Sequence, residues 1–379
     1  MNLEENIKSL HILRGLAALI VVIFHAKFIL WSGGTLYIEE VGIDGLDGYL
    51  AFGLDMLSSA GKQCVIFFFI LSAFVISYSF ERNNYSLSSF YKIRSLRIYI
   101  PFLFSLVLSI GSLLLAYQFN SKIFYVEGRE YNESIKIALE DLSLVTVLKT
   151  LFFIPNKTYA GANFAYWSLL HEAIFYLLFP VYHRLKNHIL LGLFVIFLTC
   201  SYFFQFSIVY FQIFFLCGIF TYRYFKHYGV APLITNQKVF LCTLLLLFAL
   251  QNVFILKSNI YLADAFAIVL SFTLINYTLY FIAKAPKALA LLGKISYTLY
   301  LNHLSVLLLF YVCIASYLNE YIFYDRVYYY IGTVLAVLVS IILYYLAEQP
   351  SLRLIERLRK HRSDALHKPE LSKPAARAS

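Results

Sequence analysis

Residues 10–31 read LHILRGLAALIVVIFHAKFILW. An apolar run of about 20 residues is long enough to cross a bilayer as a helix. This one carries Arg14 and His25 within it. An arginine at membrane depth costs roughly 2.5–3.5 kcal/mol on insertion scales, so an ionisable residue in a span is functional by default. The two lie eleven residues apart. At about 100° per residue that is about 1100°, within about 20° of three whole turns. They therefore share a face, about 16 Å apart along the axis. A fixed cation and a titratable base stand one above the other on a single wall of a membrane helix.

The rest of the composition agrees. Of 379 residues, 61% are hydrophobic and 14% are charged, where a soluble domain carries about 25% charged residues. The chain is read as an all-α polytopic membrane protein. Cys64, Cys200, Cys217, Cys242 and Cys313 lie in or beside apolar runs with no CxxC spacing. Neither a disulfide framework nor a metal site is expected. The first apolar run is too long for a cleavable signal, contains Arg14, and has no small-x-small site after it, so it is expected to remain as a helix.

Ten runs of near-spanning length follow one another, at about 10–31, 62–80, 98–119, 164–182, 189–205, 208–225, 239–256, 263–283, 295–316 and 329–347. Lysine and arginine in short loops set orientation. With the N-terminus inside, the inner segments hold 21 Lys and Arg, counting Arg223. The outer segments hold 7: Lys122, Arg129, Lys136, Lys149, Lys157, Lys257 and Arg326. The bias recurs loop after loop and places both termini in the cytoplasm. One membrane domain, 1–350, would carry outer loops 32–61 and 120–163, and a basic cytoplasmic tail, 351–379, is expected to be disordered. The bacterial-type inner membrane is the expected location. The net charge of +10 then belongs to inner anchors that touch anionic membrane lipid, and nucleic acid is not an expected partner.

Both outer loops exceed the length at which a plain connection is common, so a lid or acceptor site is an expectation beside simple connection. Segment 32–61 is Gly-rich and acidic, with Glu39, Glu40, Asp44, Asp47 and Asp55. Segment 120–163 contains SLVTVLKTLFFIP, an amphipathic helix expected on the outer surface. No internal repeat is evident, which weighs against a duplicated transporter fold.

Polar residues within the spans form constellations. In YKIRSLRIYIPF, Arg94 and Arg97 are three apart and share a helix face. They read either as inside anchors or as a clamp for phosphate, whose oxygens suit arginine forks. Pro101 is expected in the first turn of its span, where a missing N–H is tolerated. Glu172, in FAYWSLLHEAIFYLLFP, must be neutral, paired or in a wet cavity. Structural pairing and a role in holding substrate both remain open. His171 points about 100° away and cannot face the same spot. In KISYTLYLNHLSV, Ser296, Tyr300 and His303 are spaced four and three and make one polar stripe. Ser72, Ala73 and Ser77 read as close helix packing, and Glu348 with Pro350 as a helix terminus. Arg14, Arg94, Arg97 and Ser296 thus fall toward the cytoplasm, and His25, Glu172 and His303 at or beyond the midplane.

These residues carry a resemblance. The chain resembles the acyltransferase-3 family of integral-membrane O-acyltransferases over nearly its whole length. The resemblance rests on LRGLAALIVVIFHA with Arg14 and His25, FFFILSAFVIS, the Arg94-x-x-Arg97 pair, YWSLLHEAIFY and SYTLYLNH, in that order. Where the family usually has Gly, Ala73 stands in LSAF, and its methyl is expected to tighten packing. The resemblance implies an acetyl or other acyl group passed from acetyl-coenzyme A, a co-substrate rather than a bound cofactor. The acceptor would be a hydroxyl of a glycan or lipid-linked oligosaccharide. Arg14, Arg94 and Arg97 would hold donor phosphates, and Ser296, Tyr300 and His303 would line the passage for the pantetheine arm. His25, with an ordinary pKa near 6.5, would be general base or acyl relay. Glu172 would orient or balance the catalytic site, with Tyr166 and Trp167 on the substrate side. A glycan exporter and a non-catalytic partner of an envelope-synthesis complex are the competing readings.

Overall fold

The computed structural model describes residues 7–31, 45–83, 85–282 and 286–366. Among the described residues the chain is helical, with no strand. In order come α1 (Leu10–Leu30), α2 (Gly45–Leu57), α3 (Gly61–Arg82), α4 (Leu87–Phe119), α5 (Glu130–Glu140), α6 (Leu144–Leu151) and α7 (Trp167–Arg184). Then follow α8 (Asn187–Phe204), α9 (Ser207–Tyr228), α10 (Gln237–Leu256), α11 (Ile260–Phe281), α12 (Lys287–Leu318) and α13 (Val327–Leu343). A π turn, Tyr344–Glu348, leads into α14 (Gln349–Leu366). Ten helices are long and apolar enough to span a membrane, and each holds one of the ten runs read from the sequence.

Two spans begin earlier than hydropathy suggests. Helix α4 starts at Leu87, where the Ser86 hydroxyl accepts the Ser89 N–H at 3.3 Å, a standard N-cap. Pro101 is therefore interior to a 33-residue helix and not in its first turn. Helix α12 likewise begins at Lys287. These extensions place Arg94, Arg97 and Gly293 inside regular helix at the basic face of the bundle.

Helices α1 and α12 share the most extensive contact between any two described elements. They meet through glycine. A Cβ on Gly15 would stand 2.5 Å from the Gly293 nitrogen, and one on Gly293 2.2 Å from the His11 carbonyl oxygen. Backbones can approach this closely only where side chains are absent. Helices α4 and α13 also pack on α12, while α3 carries α9 and α11. At the α3–α9 crossing a Cβ on Gly218 would meet the Ala73 Cβ at 2.7 Å. Gly218 supplies the space that the Ala73 methyl fills. Helices α8 and α10 lie outermost and expose leucine, isoleucine and valine, as a lipid-facing surface does.

The two long loops are more structured than plain connections. Residues 32–44, with Glu39, Glu40 and Asp44, lie outside the described residues. Asp55, at the end of α2, is buried. It accepts Arg326 Nε at 3.0 Å and the Tyr329 hydroxyl at 2.7 Å, and its backbone carbonyl accepts Lys27 Nζ at 2.5 Å. It ties α1, α2 and α13 together at the far end from Gly15. In the second loop, α6 buries Thr146 and Thr150 and exposes Leu144 and Leu148. Polar side inward and apolar side outward is the orientation of a helix lying in the lipid interface. The Asp141 carboxylate accepts Asn156 Nδ2 at 2.7 Å and the N–H groups of Lys157 and Thr158 at 3.1 Å each. Burial would raise the pKa of this carboxyl, but these donors, Thr158 foremost, hold it below its ordinary value.

Residues 159–166 do not stay outside, as the boundary at 163 implied. They turn back into the protein beside the middle of α4 and α12. Gly161 has φ +86°, and a Cβ there would strike the Ser109 hydroxyl at 2.4 Å. The Ala162 N–H donates to the Ser109 carbonyl at 3.3 Å. Asn163 donates to the Leu301 carbonyl, which also accepts the Ser105 hydroxyl at 2.7 Å. The 3₁₀ turn Phe164–Tyr166 then leads into α7. Non-helical backbone at membrane depth is tolerated only when buried in protein and internally satisfied, and this segment meets both conditions.

The glycine crossing can be tested directly. Gly293→Ala should lower the unfolding midpoint of detergent-solubilised protein by an amount equivalent to about 1–3 kcal/mol, the usual cost of overpacking. Gly192→Ala, with nothing within 4 Å of the added Cβ, should leave it unchanged or raise it slightly. Equal midpoints for the two variants would overturn the crossing.

Candidate active site

Arg14, Arg94, Arg97, Glu172, Ser296 and Tyr300 come from four helices and line one cavity of about 490 Å³. That volume lies in the range of small-molecule sites. The cavity opens at the basic face, where exposed Arg82, Asn83 and Arg359 stand at its mouth. Phe68 and Tyr300 lie at its deep end.

The arginines are left open. Arg94 is buried, lies over the Phe90 and Tyr176 rings at 5.6 and 5.5 Å, and has no hydrogen-bond partner for Nε. Among the described residues, neither Arg14 nor Arg97 makes a hydrogen bond or an ion pair. Each guanidinium offers five N–H donors, and a withdrawn donor without a partner costs free energy. An anion entering the cavity would satisfy them. Two carboxylates attend the cluster without filling it. Glu172 accepts the Tyr176 hydroxyl and the Ser72 hydroxyl, the latter at 3.3 Å. Glu348 accepts the Thr298 N–H at 3.1 Å and its hydroxyl at 2.6 Å. Both attract Arg14 electrostatically. The π turn carries the chain on through Glu348, so that residue is not a helix terminus. Its position in an apolar helix was the one signal of this role, and proximity to Pro350 obscured it.

His25 and His303 are brought together. His25 Nδ1 lies 3.0 Å from His303 Nε2, and His303 Nδ1 lies 3.1 Å from the Leu299 carbonyl oxygen. A carbonyl only accepts, so His303 carries its proton on Nδ1 and presents Nε2 as an acceptor. His25 then donates from Nδ1 and keeps a lone pair on Nε2. Its ring is half-buried, with the Phe164 ring of the re-entrant segment 5.5 Å away. His303 was expected to line a passage with Ser296 and Tyr300. It sits instead beyond Tyr300, whose ring is 6.0 Å from His303 and 6.1 Å from Phe68. The Tyr300 hydroxyl is fixed by Ser168 Oγ at 2.7 Å and the Ala165 carbonyl at 3.0 Å. Tyr300 and Phe68 therefore stand between the cavity and the histidines.

Tyr166 and Trp167 do not join the cavity. Tyr166 is fully buried with its hydroxyl 2.8 Å from Ser105 Oγ. Trp167 packs among Phe69, His171 and Phe211. His171 faces that aromatic cluster while its neighbour Glu172 faces the cavity. The C-terminal segment also departs from expectation. Residues Gln349–Leu366 form a helix, and Arg359 from it reaches the cavity mouth. Residues 367–379 lie outside the described residues.

A family model described as an acyltransferase domain, the third acyltransferase family of that name, matches residues 7–345. No curated protein and no solved structure matches the chain.

The mouth of the cavity fixes which side of the membrane it serves. A cysteine at Asn83, in a chain lacking the five native cysteines, should react with a membrane-impermeant maleimide in inside-out vesicles and stay unlabelled in intact cells. Labelling in intact cells alone would reverse the orientation.

Proposed function

This chain belongs to the acyltransferase-3 family and is a membrane acyltransferase; we propose that it carries an acetyl group from cytoplasmic acetyl-coenzyme A to a sugar hydroxyl of a surface or secreted polysaccharide. The acceptor would be the glycan or its lipid-linked precursor, at the cytoplasmic membrane of a bacterial-type cell. The observation that carries this reading is the separation between the open arginines and the histidine pair. Arg14 and His25 stand about 16 Å apart along one face of α1. A pantetheine arm has about the contour of four extended residues, roughly 14 Å at ~3.5 Å each. With the pyrophosphate on Arg14, Arg94 and Arg97, the arm has nearly the length to carry the thioester past Tyr300 and Phe68 to His25.

The chemistry then follows from the hydrogen bonds. His25 Nε2 takes the proton of the acceptor hydroxyl as its oxygen attacks the thioester carbon. The C–O bond forms and the C–S bond breaks. The proton passes from His25 to the departing thiolate, which leaves as coenzyme A. His303 fixes the tautomer of His25, because its Nδ1 is already committed to the Leu299 carbonyl. It also accepts a hydrogen bond from the imidazolium while that ion exists, as an orienting group does in a triad. Glu172 and Glu348 temper the arginine cluster so that it can release its anion as well as hold it. Ser296 and Tyr300 border the arm. Tyr166 ends the re-entrant turn that carries Phe164 beside His25, and Trp167 starts α7, so both belong to the acceptor side through the backbone that they fix.

His25→Ala, at normal protein level, should lower acetylation of surface glycan by at least about 100-fold, the usual share of a general base. Undiminished acetylation would overturn the assignment. His303→Ala should depress kcat with KM for acetyl-coenzyme A unchanged, whereas a role in the donor passage would raise KM. Arg14→Ala and Arg97→Ala should raise KM for acetyl-coenzyme A roughly ten- to hundredfold, as loss of a charge-assisted contact does.

A further inference from the structure

Helix α14 is not an independent tail. It leaves the π turn and packs back on α4, with the Ser351 hydroxyl donating to the Leu96 carbonyl at 2.9 Å and Ile355 buried. One turn beyond Ile355, Arg359 lies over the Tyr85 ring at 5.9 Å and lines the cavity mouth. Arg82 of α3 lines the same mouth and donates to the Tyr78 hydroxyl at 2.9 Å. Among the described residues no ion pair joins Arg359 to Glu356, one turn back on α14. The cavity thus has two cationic tiers. Arg82 stands ten residues beyond Ser72 on α3, about 15 Å nearer the basic face than the residue that donates to Glu172.

We propose that Arg359 forms an anion subsite at the cavity mouth that takes the 3′-phosphate of the donor nucleotide. This rests on the donor reading above. If the thioester lies at His25 and the pyrophosphate at Arg14, Arg94 and Arg97, the nucleotide extends toward the mouth. Its ribose carries one further phosphate monoester, and the mouth is where the second cationic tier stands. A donor with two separated anionic groups matches a cavity with two separated arginine tiers. The C-terminal helix becomes part of the binding site, and its docking onto α4 sets the position of Arg359.

The competing source of anions is lipid headgroups, and a second arginine separates the two. Arg357 is two residues from Arg359, about 200° around the helix, exposed and outside the cavity lining. Binding of coenzyme A and of 3′-dephospho-coenzyme A should be measured with purified full-length protein in nanodiscs containing anionic lipid. Wild type should prefer coenzyme A about fivefold, the upper range for a solvent-exposed charge pair. Arg359→Ala should remove that preference by weakening coenzyme A alone, Arg359→Lys should restore part of it, and Arg357→Ala should keep it. Equal weakening of both ligands by Arg359→Ala, or the same loss in Arg357→Ala, would assign the helix to lipid and overturn the subsite. Coenzyme A binding with no preference for the 3′-phosphate in wild type would overturn the subsite alone. Binding of neither ligand would overturn the donor reading and the subsite with it.

Discussion

The contact between Gly15 and Gly293 governs the rest of the molecule. Where neither helix has a side chain, α1 and α12 come into backbone contact and run parallel. Ten residues further along each lie His25 and His303, 3.0 Å apart at their nitrogens. The equal offset is what brings the rings together: both helices climb about 15 Å over ten residues, so a register set at one end is kept at the other. Two imidazoles on separate spans would otherwise need side-chain packing alone to hold hydrogen-bond distance. Here the main chain does it, and Arg14, next to Gly15, is placed by the same contact.

Two sets of polar groups in the interior contrast in what they meet. Asn163 and Ser105 both donate to the Leu301 carbonyl, and the Tyr166 hydroxyl is bonded to Ser105. Asp264 accepts Lys62 at 2.6 Å and Gln63 at 2.9 Å, together with the Tyr210 hydroxyl. Such groups meet the demand that a low-dielectric interior makes of every donor and acceptor. Arg14, Arg94 and Arg97 do not. Their unfilled donors sit on the wall of a cavity, while the satisfied groups sit between helices. Side chains locked between helices hold the bundle together, whereas three cationic side chains from two helices face one open space.

Much of this was legible in the chain. Ten spans followed from hydropathy, because an apolar run of that length has few other solutions. The shared face of Arg14 and His25 followed from helix geometry alone. Spacing puts Ser296, Tyr300 and His303 on one face, but spacing along one helix does not say what each member meets. His303 lies seven residues beyond Ser296, about 10 Å deeper, which takes it past Tyr300 to a partner on another helix. The re-entrant segment was missed because TYAGANFAY has no period; only Gly161, among small residues, hinted at close approach. Glu348 and Arg359 were missed because one reaches the arginine cluster and the other the cavity mouth from the far end of the chain. The basic composition of α14 suggested a solvated tail and hid the single inward face that Ile355 marks.

The π turn has a consequence for how this protein can change. A π turn is an α-helix carrying one residue more than its ladder accommodates. That extra residue, between Tyr344 and Glu348, rotates everything after it by about 100°. Removing it would restore a regular helix, yet Ser351 would no longer face Leu96 and Arg359 would swing off the cavity mouth. Substitutions in α14 alter one contact at a time, whereas a single codon lost upstream would turn the whole helix out of phase. The reading frame of the helix, more than any one of its side chains, is what the cavity mouth has to keep.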